Sequence, residues 1–313
     1  MNSAPIFRFI LRLALGLALL APAVEAASFS SVIVYGDSLS DNGNFYAQTG
    51  SPGAPYVGGR RTNGPVAVEQ LAGALGAPLI DFAWIGATTG VGNYVDGGSP
   101  TGLGASSLPG MRTVFDATVA GLGPYISSAL FVVWGGPNDF LSPSPLDLTP
   151  AAVVARAVGN EIGIVTTLLG MGAQHILVPG MPDLGLTPYF AKTLGPARAA
   201  QGSAATVAFN EALSSSLPSG VLFYDTAALI RDMVNHPASY GFTNVTDACY
   251  NGVTVCANPS EYLFFDDFHP STAAAGYAAT GLFDTVVPEP STVGLVFAGL
   301  GMLVGIRRRV VKR

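Results

Sequence analysis

A serine, a histidine and a carboxylate held close together can activate the serine hydroxyl for attack on a carbonyl carbon. The chain offers that set in two segments. Ser38 lies in Gly36-Asp37-Ser38-Leu39, directly after the apolar run Val32-Ile33-Val34-Tyr35. His269 lies in Phe265-Asp266-Asp267-Phe268-His269-Pro270. A serine hydroxyl is a weak nucleophile until a base accepts its proton. An imidazole can be that base when a carboxylate fixes its other ring nitrogen. Asp266, three residues before His269, can reach the ring across one turn, whereas Asp267, two before, is less well placed. The two other histidines suit other roles, His175 in packing at the start of an apolar strand and His236 in the surface turn Asn235-His236-Pro237. Each segment alone also has a plainer reading. Asp and Ser are ordinary turn residues, and D-x-x-H suits a helix N-cap with an incidental histidine.

Acyl transfer also needs donors aimed at the oxyanion of the tetrahedral intermediate. In Trp134-Gly135-Gly136-Pro137-Asn138-Asp139 the Asn138 amide can donate. In Ala83-Trp84-Ile85-Gly86-Ala87-Thr88-Thr89, Gly86 can present a bare backbone N–H. Both segments also read as plain glycine-rich turns. The chain lacks G-x-S-x-G, G-x-x-x-x-G-K-[ST] and H-E-x-x-H, so neither an α/β-hydrolase elbow, a nucleotide nor a metal is implied. No cofactor is expected.

These segments need a frame to bring them together. Apolar, β-branched runs predict buried parallel strands at Ser31–Tyr35, Pro78–Phe82, Ala129–Trp134, His175–Val178 and Val221–Tyr224. Helices are expected at Pro65–Leu75, Ala151–Leu169, Ala197–Leu213, Thr226–Asn235 and Thr272–Thr285. Strand alternating with helix predicts an α/β fold, a three-layer α/β/α sandwich around a central parallel sheet. Two loop regions, Asp41–Asn63 and Gly90–Gly110, would fill the rim beyond the carboxyl ends of the strands, where open α/β sheets bind ligands. Aromatic residues beside the four segments (Phe45, Tyr46, Trp84, Trp134 and Phe140) suit either an apolar cleft or the core, with the core favoured for Trp134.

The four segments in this order resemble the GDSL, or SGNH, hydrolase family. Gly36-Asp37-Ser38-Leu39-Ser40-Asp41 is similar to its nucleophile block, Gly86 to the glycine of its second block, Gly136-Pro137-Asn138-Asp139 to its G-x-N-D, and Asp266-Asp267-Phe268-His269-Pro270 to its D-x-x-H-P. The resemblance spans nearly all of residues 31–286. It implies a flavodoxin-like fold, Ser38 as nucleophile, His269 as base and Asp266 as the acid that orients it. It also implies an oxyanion hole formed by the Ser38 and Gly86 amides and the Asn138 side chain. Asp81 and Ile85 depart from the pattern, standing where Asn and Gly are common.

The two ends read as targeting segments. Residues 1–26 combine Arg8 and Arg12, the apolar run Leu13–Ala21 and Val24-Glu25-Ala26, in the order of a secretory signal peptide. A first buried helix is the alternative. At the other end, Pro288-Glu289-Pro290 precedes an apolar run and Arg307-Arg308-Arg309-Val310-Val311-Lys312-Arg313. Residues 291–306 would make roughly 24 Å of helix, enough for transient membrane anchoring. This tail, residues 288–313, resembles a PEP-CTERM sorting signal, which implies cleavage by an exosortase-type processing enzyme; an uncut anchor helix is the alternative. Residues 27–287 would then form the hydrolase domain, with 7 basic against 18 acidic residues and a net charge of −11. Such a surface repels nucleic acid. In an exported chain, periplasmic, surface-bound or extracellular, Cys249 and Cys256 would form a disulfide. The expected activity is hydrolysis of a carboxylic ester, esterase or lipase. The alternatives are O-deacetylation of an extracellular polysaccharide and matrix binding without catalysis.

Overall fold

In the computed structural model, residues 28–97, 108–144 and 147–288 are described. The two proposed targeting segments lie outside the described residues, apart from Pro288. Residues 29–286 form one compact unit.

Five strands make its parallel sheet in the order β2-β1-β3-β4-β5: β1 (Val32–Gly36), β2 (Leu79–Asp81), β3 (Leu130–Trp134), β4 (His175–Pro179) and β5 (Leu222–Tyr224). This is the doubly wound order whose switch point lies between the first and third strands. β1 and β3 are buried along their whole length and pair from Val32↔Leu130 to Gly36↔Trp134. Their continuous apolar character follows from having helices on both faces. On one face Ile33, Tyr35, Phe131, Val133, Ile176 and Val178 join a core that includes Met111, Phe115, Ile164, Leu168 and Phe209. The alternate residues Val32, Val34, Leu130 and Val132 face the other way and are equally buried.

Eight helices surround the sheet among the described residues: α1 (Asn44–Thr49), α2 (Ala67–Leu75), α3 (Met111–Thr118), α4 (Pro137–Leu141), α5 (Pro150–Met171), α6 (Pro196–Ser216), α7 (Thr226–Asn235) and α8 (Thr272–Val286). α5 packs on α6, and α2 on α8. α5 is long and apolar enough to cross a membrane. Its apolar face is instead spent on the core through Val153, Ala157, Ile164, Val165 and Leu168.

All five expected strands and five expected helices are present, with ends moved by a few residues. The edge strands β2 and β5 are shorter than predicted and only partly buried. α2 starts at Ala67, because Val66 is extended and donates its N–H to the Glu69 carboxylate at 2.9 Å. Five elements were not foreseen: α1, α3, α4, β6 (Asn244–Ala248) and β7 (Tyr262–Phe264). α1 lies inside the expected loop Asp41–Asn63, and α3 follows the second loop. β6 and β7 form a small parallel pair that stands apart from the main sheet. Cys249 and Cys256 are disulfide-bonded beside it. His175 does begin β4, but it is exposed there, edge-on to Phe29.

Phe209 is fully buried, meets Phe140 edge-on and fills the space over Gly136. Replacing it with Ala is expected to cost about 3–5 kcal/mol, read from the urea midpoint. A loss below about 1 kcal/mol would contradict this packing.

Candidate active site

β1 delivers Ser38 to the carboxyl edge of the sheet, one turn past its last residue. The Asp37 carboxylate accepts the Leu39 amide at 2.9 Å and so closes that turn. Asp41 extends the brace. Its carboxylate accepts the amides of Gly43, Asn44 and Phe45, capping α1, and the amide of Ile85 across the rim. The Ser38 loop and the Gly86 loop are thus fastened by one side chain. Asp81 adds a second tie, accepting Asn42 N–H at 3.0 Å and Ala83 N–H at 2.8 Å. The two departures from the family pattern are therefore accommodated: Asp81 serves as an acceptor, and Ile85 contributes its backbone amide.

His269 arrives just before α8. Its Nε2 lies 2.8 Å from Ser38 Oγ, and its Nδ1 lies 2.8 and 2.9 Å from the two Asp266 oxygens. A carboxylate can only accept, so Nδ1 carries the proton and Nε2 is free to accept the serine O–H. Asp266 is buried. Besides the imidazole it accepts the Phe268 amide at 2.9 Å, the His269 amide at 2.7 Å and the Tyr56 hydroxyl at 2.8 Å. Burial alone would push its carboxyl up. The charge and hydrogen bond of His269, with the two backbone amides, outweigh burial and bring it down to about 2. Asp266 is thus an anion at every working pH. Asp267, its neighbour, is exposed, and the ring's hydrogen bonds go to Asp266 and Ser38 instead.

Gly86, Asn138 and Ser38 border one open cleft. Gly86 has φ +78, and a Cβ there would strike Asn93 and Val95, so glycine is required. Among the described residues neither the Ser38 nor the Gly86 amide has an acceptor. The Asn138 amide donates to Ala87 O at 3.0 Å and, more loosely, to Asp37 Oδ2 at 3.3 Å. The loop bearing it is tightly anchored. Asp139 accepts from Thr89 and from Arg156, and Glu161 accepts the Gly135 amide at 3.0 Å. Gly136, at φ +113, lies against the ring of Phe209.

Ser38 and His269 stand where two cavities meet. One, about 50 Å³, runs inward and is walled largely by Leu39, Val66, Ile230, Phe264, Phe268 and Ala275. The other is the open cleft, about 330 Å³, with Tyr56, Tyr94, Tyr250, Asn251 and Asp267 around it. The aromatics considered from the sequence mostly lie elsewhere. Phe45 is buried, Trp84 and Phe140 pack on the core, and Tyr46 is exposed. Trp134 is a core residue that borders the inner cavity, its indole N–H bonded to Gly180 O. His236 ends α7 at the surface, paired with Asp232. The contact with Asp266 made by Tyr56 had no local signal, because 210 residues separate the two. Among the described residues no cluster of His, Cys, Asp and Glu is arranged to hold a metal.

The chain is similar to known proteins. Residues 32–282 match the model of the GDSL-like lipase/acylhydrolase family, and residues 286–309 match the PEP-CTERM protein-sorting motif. A GDSL esterase/lipase of Arabidopsis thaliana is 26% identical, over 80% of this chain and 87% of its own. The phosphatidylcholine-sterol acyltransferase of Aeromonas hydrophila is 27% identical, over 75% and 71%. The esterase EstA of Pseudomonas aeruginosa is 30% identical, over 80% of this chain and 46% of its own. Among solved structures, an acetylxylan esterase of Geobacillus stearothermophilus aligns over 84% of this chain and 96% of its own, with a TM-score of 0.49 at 13% identity.

Burial pushes the Asp37 carboxyl up from 3.8 to about 7, only partly offset by the Leu39 amide and the charge of His269. Between roughly pH 4 and 7 the folded chain keeps a proton on Asp37 that the unfolded chain has released. Stability should therefore fall as pH rises through that window. In urea unfolding at pH 4.5 and 7.5, Asp37→Asn is expected to lose about 2–4 kcal/mol less than the parent across the interval. Equal losses in the two proteins would contradict the assignment.

Proposed function

Since the chain belongs to the GDSL-like lipase/acylhydrolase family, we propose that it is a serine hydrolase of carboxylic esters in which Ser38, His269 and Asp266 carry the chemistry. The observation that bears most weight is the unbroken line of hydrogen bonds from Asp266 through the imidazole to Ser38 Oγ. His269 Nε2 takes the hydroxyl proton as Oγ attacks the acyl carbon. The carbonyl oxygen becomes an oxyanion, received by the Ser38 and Gly86 amides and by Asn138, which turns from its loose contact with Asp37. The same imidazole returns the proton to the departing alkoxide, leaving an acyl-Ser38 and a free alcohol. Water, deprotonated by His269, then attacks the acyl carbon. Collapse of the second tetrahedral intermediate releases the acid and restores Ser38 O–H.

The two cavities fit the two arms of an ester. The inner one is apolar and narrow. Its apolar walls suit a short acyl arm. The open cleft, with tyrosine rims and polar backbone, suits a larger alcohol. That shape also supports a second reading, O-deacetylation of an extracellular polysaccharide. The sorting motif marks the protein for export and C-terminal sorting. In this reading residues 1–26 and 288–313 are the targeting ends of a hydrolase domain at 27–287, and an exosortase-type enzyme removes the tail.

Ser38→Ala in the full chain is expected to lower kcat on p-nitrophenyl butyrate by about 10⁴-fold or more with an unchanged melting temperature. Retained activity would overturn the assignment. Across p-nitrophenyl acetate to laurate, kcat/KM is expected to peak at the short end and fall at least about tenfold by the longest chain. A maximum at laurate would place the acyl arm outside the inner cavity. Initial rates on acetylated xylan against tributyrin then separate the polysaccharide and glyceride readings.

A further inference from the structure

Tyr56 sits in the Gly- and Pro-rich loop between α1 and α2, far in sequence from Asp266, yet its hydroxyl meets Asp266 Oδ2 at 2.8 Å. The contact is built rather than casual. The Tyr56 ring stands edge-on to Tyr250 at 5.7 Å and to Phe265 at 5.5 Å, and the Arg61 guanidinium lies 5.3 Å from its centre. Tyr250 and Phe265 stack on each other and share a backbone hydrogen bond. The loop is tied a second time to the histidine segment, Thr62 Oγ1 donating to Pro270 O at 2.8 Å. A third tie joins Asn63 Oδ1 to the Thr272 amide at 2.9 Å. The hydroxyl is therefore presented on a fixed ring, at a distance typical of a charge-assisted bond.

The Asp266 oxygens are not equally served. Oδ1 accepts two backbone amides and the imidazole, whereas Oδ2 has the imidazole and Tyr56. In a buried site an oxygen left short of donors is costly and free to swing. We propose that Tyr56 is a positioning residue of the relay: its hydroxyl fixes the Asp266 carboxylate and shares its charge, and so sets how that carboxylate holds His269. The proposal rests on the reading of His269 as the base for Ser38. Burial and the nearby Asp266 charge push the Tyr56 phenol up, so it stays a donor at every working pH. The charged and titratable groups around this carboxylate and its imidazole are His269 and Asp267 from its own segment, Tyr56 and Arg61 from the loop, and Asp37 from the Ser38 turn, whose carboxyl feels the charge of His269.

The test is Tyr56→Phe in the full chain, which keeps the ring and removes only the hydroxyl. On p-nitrophenyl butyrate kcat is expected to fall about tenfold with KM unchanged. The acid limb of kcat/KM against pH is expected to move upward, because a carboxylate no longer shared with Tyr56 holds the imidazolium more strongly. The downfield proton resonance of His269 Nδ1–H is expected to shift in the variant, a readout independent of turnover and of stability. Parental kcat, an unmoved acid limb and an unmoved resonance in Tyr56→Phe would overturn the proposal. Loss of rate with limb and resonance both unmoved would overturn it as well, leaving Tyr56 only a packing role. Ser38→Ala separates the two levels: if that variant keeps its activity, it is the nucleophile reading that fails.

Discussion

A carboxylate can stay charged inside a protein only where donors surround it. Asp266 is such a group, and four donors meet it: the Phe268 and His269 amides, the imidazole Nδ1–H and the Tyr56 hydroxyl. Two of these come from the turn that Asp266 itself begins, so the D-x-x-H spacing builds its own cradle. With the anion fixed, the imidazole has one tautomer and one orientation. Its Nε2 then points at Ser38, which arrives from the other end of the chain. Were Asp266 neutral, the same geometry would leave the proton on the wrong nitrogen in part of the population.

The rest of the rim is organised by further carboxylates, each used as an acceptor of backbone amides. Asp37 closes the Ser38 turn, Asp41 joins it to the Gly86 loop, Asp81 supports both, and Asp139 with Arg156 anchors the Asn138 loop. Burial pushes all four of these carboxyls up despite the amides they accept. The parallel sheet supplies the common origin. Three of these loops leave the carboxyl ends of β1, β2 and β3, which are adjacent in the order β2-β1-β3. Donors and nucleophile therefore converge on one cleft.

Much of this was legible in the sequence because the information is local. Strands β1, β3 and β4 are buried and read as apolar runs. Ser38, Gly86, Asn138, Asp266 and His269 each carry a signature within a few neighbours, and the structure brings them to one place. What could not be read is long-range. Tyr56 reaches Asp266 across a fold that no loop composition announces. The inner cavity is walled by residues from the Ser38 turn, α7, α8 and β7 that only packing unites. β6, Asn-Val-Thr-Asp-Ala, is short and polar, and pairs with β7 through tertiary context. The aromatic residues beside the motifs misled for a related reason: bulk near a site in sequence is as useful for holding loops as for lining a cleft.

The proposed chemistry requires Ser38 to be an activated nucleophile. A fluorophosphonate probe on the folded full chain, followed by peptide mass analysis, tests this directly, because the serine oxygen attacks phosphorus and expels fluoride, leaving a phosphonylated serine, only where a base takes its proton. One adduct is expected on the peptide carrying Ser38, strongly reduced in His269→Ala and absent after unfolding. An unlabelled Ser38 in folded protein, or labelling that ignores the loss of His269, would contradict it.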